Sequence, residues 1–261
     1  MPNIVVLVKQ VPDTYSERRL NDGDHTLDRD SADAVLDEIN ERAVEEALQI
    51  KEAHDGEVTV LCLGPDRATD AIRKALSMGA DKAIHVLDDA VHGSDMLQTA
   101  KILAAAIGTV EDVDLVIAGN EASDGSGGAI PAMLAELLGY PQLTHAREVT
   151  IDGTAVKVTR ETEEGLTHLE ASLPAVVSVA EKINEPRYPS FKGIMAAKKK
   201  PVETLGIDDL GLDAGDVGLD SAWSTVLEAA PKPPREAGQR VEDDGEGGAR
   251  IAEYLVAQKL I

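Results

Sequence analysis

The segment Gly119-Asn120-Glu121-Ala122-Ser123-Asp124-Gly125-Ser126-Gly127-Gly128 is the part of this chain best suited to hold a ligand. Glycines let a backbone approach phosphate oxygens closely, and unpaired amides at the start of a following helix favour negative charge. A strand-like apolar run, Leu115 to Ala118, precedes the segment, and a helix-like run, Pro131 to Leu138, follows it. That arrangement puts the segment at the carboxyl end of a parallel strand, where doubly wound folds bind ligands. The dinucleotide fingerprint is not spelled, because Gly125-Ser126-Gly127 continues as Gly128-Ala129-Ile130. On the residues alone, a nucleotide loop and an ordinary turn are both open.

The other reactive residue types point away from catalysis. His25, His54, His85, His92, His145 and His168 are dispersed with no pair at metal-ligand spacing, so no metal site is expected. The single cysteine, Cys62, lies in an apolar run, where a buried and inert thiol is expected. His85 sits in another such run and reads as a satisfied core residue. There is no Gly-x-Ser-x-Gly elbow and no Gly-Lys-Ser/Thr phosphate loop, which disfavours acyl transfer and nucleoside triphosphate hydrolysis. A binding or carrier protein fits better than an enzyme. Phe191, the chain's one phenylalanine, lies in the Pro- and Gly-broken stretch Lys182 to Lys200. It is either a plug for the domain or an exposed anchor for a partner's pocket. Lys198-Lys199-Lys200 reads as a solvated basic face.

The elements that must position these residues are legible. Four mostly β-branched runs, Ile4 to Val8, Val58 to Leu63, Ala83 to Val86 and Leu115 to Ala118, alternate with helix-like segments, which predicts a doubly wound, mostly parallel α/β sheet. One helix covers Ala43 to Lys51, with Ala43, Ala47 and Ile50 inward and Glu41, Glu45 and Glu46 toward solvent. Others cover Asp66 to Met78, Asp95 to Ile107 and Pro131 to Leu138, each followed by glycine. Beyond Pro141, the runs Val149 to Ile151, Ala155 to Thr159, Thr167 to Leu173 and Ala175 to Val179 read as strands, with Asp152-Gly153 as a hairpin turn. Lys182 to Lys200 reads as an irregular loop. Asp213 to Gly248 is too rich in Gly, Pro and Asp to build a core and reads as an extended arm. A short amphipathic helix at Ala249 to Ile261 must dock to persist. The α/β domain is placed at 1–200 and the arm at 201–261.

Forty-eight acidic against 25 basic residues give a net charge of -23, which disfavours nucleic-acid binding through phosphates. The acids are scattered, so a general surface adaptation to a salt-rich cytoplasm, as in a halophilic archaeon, accounts for them better than one binding patch. No apolar run is long enough for a membrane span, and no signal peptide precedes Ile4, so a cytoplasmic location is expected.

Several stretches resemble the β-subunits of electron transfer flavoproteins. They are Val8-Lys9-Gln10-Val11-Pro12-Asp13, Ala43-Val44-Glu45-Glu46-Ala47 and Ala75-Leu76-Ser77-Met78-Gly79-Ala80-Asp81, then Asn184-Glu185-Pro186-Arg187-Tyr188, Ile194 to Lys200 and Pro233 to Gly238. They occur in order over nearly the whole chain. The resemblance implies an electron carrier in a heterodimer, whose α-subunit holds most of an FAD while the β-subunit binds AMP structurally. It places the AMP pocket at Leu7, Asp37, Glu38, Ile39, Asn40, Leu63, Gly119, Asn120, Glu121, Ala122, Ser123, Asp124, Gly125, Ser126, Gly127, Gly128, Ala129 and Ile130. The family's usual Asn-Pro before the first helix is Asp37-Glu38 here, and its loop ending is Ala129-Ile130-Pro131, which shifts phosphate binding toward backbone amides. Thr14 and Ile39 stand where relatives place aromatics near the flavin. The resemblance further implies a recognition loop at 183–196 with Phe191 as the dehydrogenase anchor, and a C-terminal arm across the α-subunit. Acyl-CoA or related dehydrogenases are the implied donors and a membrane quinone oxidoreductase the acceptor. The alternatives are a bifurcating member with a second FAD in the β-subunit and NADH as donor, and a stand-alone adenine-nucleotide-binding regulator.

Overall fold

The apolar runs of the first half lie side by side in the middle of a nine-stranded sheet. The computed structural model describes residues 1–234, 238 and 240–261. Its sheet strands in chain order are β1 (Asn3–Val8), β2 (Glu57–Leu63), β3 (Lys82–Val86), β4 (Leu115–Gly119), β5 (Gln142–Asp152), β6 (Ala155–Thr162), β7 (Gly165–Ser172), β8 (Ala175–Val179) and β9 (Val202–Leu205). They are arranged β7-β6-β5-β8-β4-β1-β2-β3-β9. Pairing is parallel from β5 to β9 across the sheet, and antiparallel only in the β5-β6-β7 meander at one edge. The β5-to-β6 turn passes through Gly153, whose φ of 60° suits a residue without a side chain.

Side-chain alternation explains why helices cover both faces. Ile4, Val6 and Val8 of β1 share one core with α1 (Glu38–His54) and α2 (Thr69–Met78), while Val5 and Leu7 share the other with α3 (Met96–Ile107) and α4 (Ile130–Leu138). A strand buried on both faces reads as a continuous apolar run, as these do. Each fully buried aliphatic side chain contributes roughly 1.5–3 kcal/mol. Cys62 is fully buried and its thiol is pushed up to about 12 by that burial, in keeping with an inert thiol. His85 is buried with Nε2 at 3.0 Å from the Gly64 carbonyl, a satisfied core histidine.

Three expectations are corrected. First, Glu45 and Glu46 of α1 do not face solvent: they are 4% and 6% exposed. Arg187 Nε donates to Glu45 Oε2 at 2.7 Å, and Asn184 Nδ2 donates to Glu46 Oε2 at 3.0 Å. Burial raises the Glu46 carboxyl, with the Asn184 hydrogen bond opposing it. Second, the stretch Lys182 to Lys200 is not wholly irregular, because α5 (Phe191–Ala197) forms inside it. Ser190 Oγ caps this helix by accepting from Gly193 N at 3.0 Å. Gly193 does not break the helix: a Cβ there would collide with the Ser77 carbonyl oxygen at the end of α2, so glycine permits close packing of α5 on α2. Third, the sheet does not stop at 200. β9 extends it alongside β3, Ile207 is fully buried, and the compact unit runs from Met1 to Val226.

The second unit, Leu227–Ile261, carries α6 (Gly247–Ala257), on which Ile251, Tyr254 and Val256 are exposed. Of the family-like stretch Pro233 to Gly238, Arg235, Glu236 and Ala237 lie outside the described residues. Among the described residues no helix is long and apolar enough to cross a membrane.

Candidate functional site

All four central strands, β1 to β4, end on the same side of the sheet, and a cleft of about 1580 Å³ opens there. Its floor comes from Leu7, Leu63 and Ala118 at the strand ends, and one wall is the Gly-rich segment leading into α4. This is the crevice position that a doubly wound sheet offers a ligand.

One buried carboxylate organises that wall. Asp37 Oδ1 accepts from Ile39 N at 3.0 Å and Asn40 N at 3.1 Å, capping α1, while its Oδ2 accepts from Ser123 N at 2.8 Å. The start of α1 and the Gly-rich segment are thus pinned together through a fully buried side chain. Gly119 is required at the strand end, since a Cβ there would lie 2.6 Å from Asn40 Nδ2 and 3.0 Å from Ile39 Cγ2. Further along, a Cβ on Gly127 would meet Met96 Sδ at 2.7 Å, and Gly128 has φ of +62°. Among the described residues, no protein acceptor pairs with the amides of Gly127 and Gly128, which are exposed beside the cleft. Asn120 Oδ1 is buried without a hydrogen-bond partner. Exposed, unpaired amides beside a cleft are the feature expected of a site that pairs them with a ligand.

Charge in the cleft centres on Asp124, whose side chain is 2% exposed. Lys9 Nζ donates to its Oδ1 and Arg29 Nη2 to its Oδ2, both at 2.8 Å. Burial alone would raise this carboxyl, but the charge and hydrogen bond of Lys9, with those of Arg29, hold it below the usual carboxylate range. Arg29 ends a small two-stranded hairpin, Arg19–Leu20 with Leu27–Asp28, that overhangs the cleft. Arg67 anchors the base of this hairpin through Asp30 at 2.7 Å, and its tip reaches the opposite rim, where Asp24 Oδ2 meets His92 Nε2 at 2.9 Å.

Most residues singled out from the sequence converge here. Leu7, Asn40, Leu63, the stretch from Gly119 through Ala122, the stretch from Asp124 through Gly128, and Ile130 line the cleft. Asp37, Ile39 and Ser123 stand behind it as scaffold, Glu38 is exposed on the first turn of α1, and Ala129 precedes α4. Sequence reasoning missed Lys9 and Arg29 as site residues, and the hairpin that carries Arg29. No local pattern announces them, because their partner Asp124 is more than ninety residues away.

A family model described as the electron transfer flavoprotein domain matches residues 24–210, a span that includes every strand of the sheet except β1 and both sides of the cleft. The chain belongs to the electron transfer flavoprotein β-subunit family. It is 64% identical to the electron transfer flavoprotein subunit beta of Mycobacterium tuberculosis strain H37Rv and to that of Mycobacterium leprae, over the full length of each pair. The subunit beta of Megasphaera elsdenii is 36% identical over 99% of both chains. Two stretches that suggest this family turn out to be one structural unit. Asn184 and Arg187 of the family-like segment Asn184 to Tyr188 grip Glu46 and Glu45 of the family-like helix α1.

Proposed function

We propose that this β-subunit binds AMP in the cleft at the carboxyl ends of β1 to β4 and, with an α-subunit, completes an FAD-bearing electron carrier. The single observation that carries the nucleotide reading is the Gly-rich wall. Close-approach glycines and the unpaired amides of Gly127 and Gly128 line one cleft, and that set fits a nucleotide phosphate. FAD, shared with and mostly held by the α-subunit, supplies reversible electron acceptance when bound. The part assigned to this chain's own residues is binding and support: the Gly127 and Gly128 amides bind, and Asp37 holds the wall in place. Ile251 and Tyr254, three residues apart on α6, are exposed and fit an arm that covers the α-subunit. Donors such as acyl-CoA dehydrogenases would dock at Phe191, and a membrane quinone oxidoreductase would accept the electrons. The chain itself is a carrier subunit and not a stand-alone enzyme.

Replacing Gly127 with leucine places a side chain where Met96 Sδ already lies, and it blocks the amide cradle. The expected outcome is loss of most co-purifying AMP with little change in fold. Acid release and chromatography of the nucleotide measure it, and AMP content equal to that of the unaltered protein would count against the cleft as its site.

The acidic balance supports a salt-rich cytoplasm as the working environment. A net charge of -23 repels itself across the surface, and molar salt screens such repulsion within about 3 Å. The melting temperature is therefore expected to climb through a salt series up to molar concentration. A flat or falling trend would remove this explanation.

A further inference from the structure

The cleft is strongly acidic. Ten carboxylates line it, against two permanent cations, Lys9 and Arg29, among the described residues. Neither cation is free. Both are engaged at 2.8 Å by the same carboxylate, Asp124, which lies inside the Gly-rich segment with only 2% of its side chain exposed. A carboxylate held this way has the charge of a phosphate oxygen and draws both cations toward itself and away from a further phosphate. Other carboxylates, Asp66, Asp88 and Glu121 among them, surround the remaining space and repel additional negative charge.

From this arrangement we infer that Asp124 sets the phosphate number this cleft accepts. By holding Lys9 and Arg29 to itself among the other carboxylates of the cleft, it weakens their attraction for a second or third phosphate, so the site takes a nucleoside monophosphate in preference to a di- or triphosphate. The inference rests on the nucleotide reading of the cleft and adds a specificity-determining residue to it. Two neighbouring substitutions move the preference in opposite directions. Asp124→Asn releases both cations toward the ligand, and Arg29→Gln leaves the Asp124 carboxylate less neutralised. Asp124→Glu, which keeps the charge, preserves the preference.

The test is an equilibrium competition on the full-length protein in the complex in which it purifies, dialysed against equal concentrations of AMP, ADP and ATP, with bound nucleotides then released and counted. Asp124→Asn is expected to shift the bound ADP-to-AMP ratio upward at least about tenfold, the scale of one charge-assisted hydrogen bond. Arg29→Gln is expected to lower that ratio, and it reports even if Asp124→Asn fails to fold, because Arg29 lies on the hairpin with a third of its side chain exposed. An unchanged ratio in the folded variants, or a shift of both in the same direction, overturns the role of Asp124. Adenylates that fail to bind the unaltered protein at all overturn the nucleotide reading as well, so the two failures are told apart.

Discussion

Replacing Arg187 with alanine is expected to destabilise the protein by about 2 kcal/mol, although the residue lies far along the chain from the helix that it serves. Its guanidinium donates to both oxygens of Glu45, at 2.7 and 3.0 Å, and to both oxygens of Glu52, at 2.5 and 3.1 Å. The Glu45 side chain is only 6% exposed, so removing the arginine strands a buried carboxylate. Breaking a fully buried pair costs about 3–5 kcal/mol, and the one-third exposure of Arg187 reduces that figure through solvent screening. For a domain of this size the loss corresponds to a melting temperature lower by roughly 4 to 8 °C. Arg187→Lys recovers little, because an ammonium cannot match two carboxylates in a planar fork.

The same pair predicts a pH dependence. Burial would raise Glu45, but the Arg187 hydrogen bonds and charge overcome it, and the Arg187 hydrogen bond is the main cause of the lowering of Glu52. Carboxyls depressed in the folded state contribute stability that is complete above their ordinary value and is lost as pH falls through the folded one. The stability gap between the unaltered protein and Arg187→Ala should therefore narrow in acid, starting below about pH 4.5. Denaturant unfolding at neutral and acidic pH checks both points, and an equal gap at every pH would contradict the ion-pair account.

Phe191→Ala is expected to slow electron transfer from a dehydrogenase donor by about thirtyfold at limiting flavoprotein, which corresponds to roughly 2 kcal/mol of docking energy from one aromatic anchor. Phe191 is 80% exposed at the first turn of α5, and Tyr188 beside it is 97% exposed. Ile194 and Met195 are about half exposed on the same helix, so the apolar surface is presented as a group. A core plug would behave differently, costing about 3–5 kcal/mol of stability on truncation. With so little of the ring buried, the melting temperature, flavin content and AMP content should stay near those of the unaltered protein. Lower thermal stability with normal donor kinetics would return Phe191 to a structural role.

What the sequence made legible divides along a physical line. β1 to β4 and helices α1 to α4 are readable because doubly covered strands need continuous apolar runs, and because Gly79 and Gly139 stop α2 and α4 locally. The Gly-rich wall was readable for the same reason, since its glycines and its place after β4 are neighbours in the chain. The inward turn of Glu45 and Glu46 was not, because burial there is determined by Asn184 and Arg187, some 140 residues away. β9 carries no such signal, being a four-residue edge strand, Val202-Glu203-Thr204-Leu205, with two exposed polar residues at its centre. The hairpin over the cleft leaves almost no apolar periodicity, being held by the short hydrogen bonds of its own turn, such as Asn21 N to the Thr26 carbonyl at 2.8 Å. Lys9 and Arg29 gain meaning only once folding brings Asp124 between them.

Counting cofactors tests most directly whether this chain is the nucleotide-holding half of a two-subunit flavoprotein. The chain should be purified with its co-expressed α-subunit, its nucleotides and flavins released with acid, and both quantified per complex. One AMP and one FAD per heterodimer are expected, with a chain expressed alone that lacks flavin and is poorly stable because its binding partner is missing. Two flavins per complex without AMP, or a stable lone chain loaded with flavin, would contradict that reading.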